Sequence, residues 1–89
     1  MHQTALEGPQ NLGQAGVAEL TLFNRGEGRD VYRLSLETDF YQPANAEPNI
    51  VALEPGRSQR VRVAACSPVV VHVYSESRGE EVTALFLSR

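Results

Sequence analysis

Val17-Ala18-Glu19-Leu20-Thr21-Leu22-Phe23 alternates with a period of two. In an extended chain Ala18, Leu20 and Leu22 fall on one side, and Glu19, Thr21 and Phe23 on the other. That pattern predicts a strand with one buried face. It recurs along the chain. Val31–Glu37 sets Tyr32, Leu34 and Leu36 against Arg33, Ser35 and Glu37, and Gln59–Ala64 sets Val61 and Val63 against Arg60 and Arg62. Val69–Ser75, after Pro68, is rich in β-branched residues. Shorter strands are expected at Thr4–Leu6, Asn49–Leu53 and Val82–Leu87. Nowhere do apolar residues recur at helical spacing over three turns, so no helix is predicted.

Turn signals separate these segments. Asn24–Asp30 holds Gly26 and Gly28 in a loop, and Glu54-Pro55-Gly56-Arg57 has Pro and Gly where a type II turn places them. Arg78-Gly79-Glu80 turns the chain into the last strand. Thr38–Pro48 is polar and reads as a connection crossing between sheets. Six or seven short strands in 89 residues point to a sandwich or small barrel. Its expected core is Leu20, Leu22, Tyr32, Leu34, Leu36, Leu53, Val61, Val63, Val69, Val71 and Val73.

Composition narrows the function. The length fits one domain, residues 1–89, with a thin core. Net charge is −3, from 8 basic and 11 acidic residues, which is not a nucleic-acid footprint. All the basic residues are arginine, so neither Schiff-base chemistry nor a lysine isopeptide cross-link is available. The apolar run Val69–Val71, like every other in the sequence, is too short for a membrane-spanning helix. Met1–Glu7 has neither the basic nor the apolar region of a signal peptide. The single cysteine, Cys66, cannot form an internal disulfide.

Each group that invites a chemical reading also has a simpler one. Cys66 and His72 are six residues apart, roughly 20 Å along a strand, too far for a nucleophile and its base. A buried or half-buried loop thiol is the expectation. His2 and His72 are the only histidines, and no Cys/His cluster offers the ligand set of a zinc site. Glu37 and Asp39 have a spacing of about 6–7 Å that glycosidase carboxylates use, yet they read as a solvated strand end. Glu27 and Asp30 lack an Asp-x-Asp calcium pattern. Gly26-Glu27-Gly28 lacks the Lys-Ser/Thr ending of a phosphate loop. Arg60 and Arg62 are expected to pair across strands with Glu19 and Thr21. No catalytic residue, metal or cofactor is assigned.

The order of these features resembles a bacterial immunoglobulin-like family that includes domains attached to secreted glycosidases and cell-adhesion-related domains. The resemblance rests on Leu20-Thr21-Leu22-Phe23-Asn24-Arg25-Gly26, on Tyr32-Arg33-Leu34-Ser35-Leu36, and on Leu53-Glu54-Pro55-Gly56 leading to Val61-Arg62-Val63. It covers roughly residues 14–76. Val69–Phe86 is also similar to the C-terminal Ig-like domain of FixG-type cytochrome oxidase accessory proteins. The resemblance implies an all-β, two-sheet antiparallel immunoglobulin-like sandwich of six to seven strands. It implies a non-catalytic accessory or protein-interaction module of a larger cell-envelope or secreted protein, at the periplasm or cell surface. The alternatives are a periplasmic domain of a respiratory-oxidase assembly factor, and a small carbohydrate-binding module using Phe40, Tyr41 and Tyr74.

One face departs from the usual polarity. The outward residues of the strands around Val31–Glu37 and Val69–Ser75 include Val31, Arg33, Val70, His72 and Tyr74. The last strand is apolar on both sides, with Val82, Ala84 and Phe86 against Leu85 and Leu87. Apolar patches rimmed by polar groups commonly mark contacts. The expected partner is another protein chain or a neighbouring domain, a homodimer included; neither nucleic acid binding nor membrane insertion by this segment is expected. The simpler reading is that the Thr38–Pro48 loop covers the patch.

Overall fold

Period-two alternation requires a layer on only one side of each strand, and two such sheets satisfy each other face to face. The computed structural model describes residues 4–39 and 42–89. Its strands are β1 (Thr4–Glu7), β2 (Val17–Asn24), β3 (Asp30–Thr38), β4 (Ala44–Glu47), β5 (Ile50–Leu53), β6 (Ser58–Ala65), β7 (Val69–Ser75) and β8 (Glu80–Leu87). They form two antiparallel four-stranded sheets, ordered β1-β2-β6-β4 and β5-β3-β7-β8. The protein is a β-sandwich.

The core lies between the sheets. Leu20, Leu22, Val61 and Val63 enter it from the first sheet; Tyr32, Val69, Val71 and Val73 enter from the second. All the core residues expected from alternation are buried except Leu36, which is half-buried. Leu36 lies beyond the stretch of β3, Asp30–Arg33, that pairs with β5.

There are eight strands and not six to seven. The additional one, β4, lies inside the segment read as a polar connection. The crossing between sheets is there, but β4 also pairs with β6 over Ala44–Glu47. It buries only Ala46, and a single small apolar residue gives no visible alternation. With 44–47 built into the far edge of the first sheet, that stretch does not cover the outer face of the second.

Two glycines are required locally. Gly56 has φ +79°, and Arg57 N donates to Glu54 O at 3.1 Å, as the type II turn expectation demands. Gly8 sits where the chain leaves β1, and a Cβ there would lie 2.5 Å from Leu20 Cδ2. The chain then joins the opposite sheet. Leu12 N donates to Ser88 O at 2.7 Å, and Ser88 N donates to Gln10 O at 2.9 Å, beside the end of β8.

A β-bulge divides β8. Val73 faces Thr83, yet the next residue, Tyr74, faces Glu81, leaving Val82 as the extra residue. The bulge reverses the parity of the strand. Val82, Leu85 and Leu87 therefore all turn to the core, and Ala84 and Phe86 are exposed. The expectation that Val82, Ala84 and Phe86 share one face is corrected by that extra residue.

Replacing Leu34 by Ala is expected to cost about 2–5 kcal/mol in urea denaturation, as a cavity in a packed core does. Leu36→Ala, at a half-buried position, should cost clearly less. Equal losses would contradict this assignment of the core.

Candidate functional site

The outer face of the β5-β3-β7-β8 sheet collects the residues singled out by sequence. Burial of Tyr32 and Leu34 turns Val31 and Arg33 outward, and burial of Val69, Val71 and Val73 does the same for Val70, His72 and Tyr74. Register arranges them in rows. Ile50, Arg33, Tyr74 and Glu81 form one; Ser35, His72 and Ala84 the next; Glu37, Val70 and Phe86 the third. Ile50 is 52% exposed, Tyr74 41% and Phe86 56%. Among the described residues these are the exposed large hydrophobic side chains, and all three lie on this face.

The apolar rows are not contiguous. His72 occupies the row between them, 27% exposed, with its Nε2 2.9 Å from Glu37 Oε1 and its Nδ1 2.7 Å from Glu81 Oε1. The first contact is a hydrogen bond from the ring N–H; the second is a charge contact outside hydrogen-bonding geometry. Both carboxylates are diagonal cross-strand neighbours, one from each flanking strand. The bulge is what supplies Glu81: an unbroken β8 would set Val82 opposite Tyr74 and turn Glu81 inward. The hydrogen bond to Glu37 raises the His72 pKa above its ordinary value; partial burial opposes this, and the Glu81 contact adds to it. The two carboxylates address opposite ring nitrogens, so these three side chains do not converge on one ion. Among the described residues no three His, Cys, Asp or Glu groups form a metal cluster. Arg33 Nε donates to Glu76 Oε2 at 2.6 Å and closes the rim at the Tyr74 end.

The opposite sheet presents a different surface. Glu19 faces Arg62 and Thr21 faces Arg60, with Arg60 Nη1 3.9 Å from Glu19 Oε2, as cross-strand pairing anticipated. Arg25 lies 4.7 Å above the Phe23 ring and pairs with Glu7, so this outward aromatic is capped.

Sequence reading missed several polar roles. Asn24 is buried, and its Nδ2 donates to Gly28 O and Leu53 O, both at 2.9 Å. Asp30, considered above for calcium, is also buried and accepts from Ser75 Oγ, Val31 N and Ser77 N. Burial alone would raise its pKa, but these donors outweigh it and hold the carboxyl below its usual value. The carboxylate is thus committed to fastening the β7–β8 turn to the start of β3. Glu37, read as a solvated strand end, is largely exposed and also accepts a hydrogen bond from His72. Cys66 is exposed, which corrects the expected buried or half-buried thiol; β6 ends at Ala65, and the turn that follows carries the side chain outward. His2, Phe40 and Tyr41 lie outside the described residues.

Compared with known proteins, the chain matches no family model and no curated protein.

A His72 pKa raised in the fold contributes stability that is fully present below about pH 6.5 and is lost as pH rises through the folded-state value. Unfolding midpoints should therefore fall as pH rises above about 6.5. His72→Gln should flatten that step, by about 1 kcal/mol or less, because both carboxylates are largely exposed. An NMR titration placing the folded His72 below 6.5 would contradict the arrangement.

Proposed function

We propose that this chain is an immunoglobulin-like, non-catalytic interaction module whose contact surface is the outer face of the β5-β3-β7-β8 sheet. The topology supports the fold reading. Immunoglobulin sandwiches place strands A, B, E and D in one sheet and C′, C, F and G in the other. Here β1, β2, β6 and β4 correspond to the first group, and β5, β3, β7 and β8 to the second. One departure is that β4 is laid down before β5, whereas C′ ordinarily precedes D. The switch of the N-terminal segment from β2 to the end of β8 also suits this family.

The observation that carries the functional reading is the placement of Ile50, Tyr74 and Phe86 together on one sheet face, while the other face carries paired charges. Val31, Arg33, Val70 and His72 complete the surface. Exposed aromatic and aliphatic groups, here in two rows divided by the His72 row, are of the kind that protein contacts favour, Tyr and Arg among them. The partner is another protein chain or an adjoining domain of a larger cell-envelope or secreted protein.

Site-specific photocrosslinking from position 74, performed in the native cell, tests this. Discrete adducts are expected from 74 and none from position 21 on the opposite face. Val70→Asp should remove the adducts from 74. Adducts that are equal from both faces, or absent from 74, would overturn the proposal.

A further inference from the structure

His72 stands between the row that holds Ile50 and Tyr74 and the row that holds Val70 and Phe86. A partner that rests on both Tyr74 and Phe86 must also cross the row between them, and on β7 that row is the His72 ring. The charged and titratable groups facing this ring come from three strands. β3 supplies Arg33 and Glu37, the two residues diagonal to it, and β8 supplies Glu81; on β7 itself the Tyr74 phenol is next along the same face. Arg33 is engaged by Glu76 at 2.6 Å. The two carboxylates address the ring: Glu37 Oε1 lies 2.9 Å from Nε2, and Glu81 Oε1 lies 2.7 Å from Nδ1.

A neutral imidazole has one N–H and one lone pair. With its N–H on Nε2, directed at Glu37, the Nδ1 lone pair points at the Glu81 carboxylate. With its N–H on Nδ1, the Nε2 lone pair meets Glu37 instead. Only the imidazolium presents an N–H, and a positive charge, to both. Nδ1 is buried and has no hydrogen-bond partner, so water does not relieve that contact. In the free protein the conflict is mild, because both carboxylates are largely exposed and water solvates them. Covering the face removes that water. A carboxylate taken out of water is tolerated when it is paired, and the neutral ring pairs one of the two.

On the reading that this face is the contact surface, we infer that it is proton-linked: a protein partner lays an uncharged, apolar strip across His72, and the contact takes up a proton at that ring and tightens as pH falls. The apolar rows on both sides of the ring suit such a strip, and the cation that the two carboxylates need is already in place between them. The sign follows from linkage. Glu37 already favours the proton in the free protein, and a partner that dries both carboxylates favours it further, so the complex holds the proton to higher pH than the free chain does. Affinity is therefore nearly level below about pH 6.5 and falls above it, by at most about tenfold per pH unit for one proton. A cationic side chain of the partner seated on Glu37 or Glu81 would compete with that proton and reverse the sign.

The test quantifies the adduct formed from a photoreactive side chain at position 74 in permeabilised native cells, buffered between about pH 5.5 and 8.5. At subsaturating protein its yield should fall about tenfold from the acid to the alkaline end. His72→Gln has no ring proton to take up and should give the low alkaline yield at every pH. Glu81→Gln removes the second carboxylate, and its amide can donate to Nδ1 of a neutral ring, so its yield should stay high at alkaline pH. A merely structural loss does not produce that gain. Circular dichroism at each pH checks that the proteins are folded; should His72→Gln fail to fold, the wild-type profile and Glu81→Gln decide. Adducts from 74 whose yield varies by less than about twofold across the range overturn the inference and leave the contact face standing. So does a yield that rises with pH, the mark of a cationic partner, or a Glu81→Gln variant that folds and loses its adducts at alkaline pH as the wild type does. Absence of discrete adducts from 74 at every pH overturns the contact face, and the inference with it.

Discussion

Three buried valines on one strand organise the molecule. Val69, Val71 and Val73 of β7 have no exposed surface, and β7 is flanked by β3 and β8. Because a strand has only two faces, committing these three inward commits Val70, His72 and Tyr74 outward. Register with β3 then fixes Arg33, Ser35 and Glu37 beside them, and register with β8 fixes Phe86 and Ala84. The outer face is thus a consequence of the core. A one-residue slip of β7 would bury His72 between apolar layers and expose the valines, at a cost that protects the register.

The bulge in β8 is the one place where that logic is deliberately broken. It lets Val82 join the core although Leu85 and Leu87 do so with the opposite parity. It also releases Glu81 to the outer face, where it meets His72. The same irregularity shortens the regular edge of β8, a common means of limiting strand addition. Buried polar groups complete the frame. Asn24, at the end of β2, reaches Leu53 O on the opposite sheet and so ties the two layers together at one end. Asp30 and Ser75 do the same for neighbouring strands within the second sheet.

Much of this was legible in the sequence because alternation is a local signal. Tyr32, Leu34, Val61, Val63 and the β7 valines announce their facing within a few residues, and Pro55-Gly56 announces its turn. What escaped has a common cause. β4 buries one alanine, so its hydropathy is flat. The bulge is set by fit against Val73 and Tyr74 on a neighbouring strand, and hydropathy within 80–87 does not reveal it. Asn24, Asp30 and the Glu37–His72–Glu81 cluster depend on partners up to 47 residues away. Val31, Arg33, Val70, His72 and Tyr74 follow from alternation alone, whereas Ile50 and the charged interruption at His72 emerge only from cross-strand register. The exposure of Cys66 depends on how a turn leaves its strand, which composition does not encode.

The claim that strand parity and one bulge build the outer face is tested most directly by cross-strand NOEs between β7 and β8. Hα–Hα contacts are expected for His72 with Ala84 and for Tyr74 with Glu81, while the Val82 methyl groups should show contacts to core side chains. A Tyr74 contact to Val82 in place of Glu81, with the Val82 methyl groups in solvent, would mean an unbroken strand. It would remove the assembly of the outer face described above.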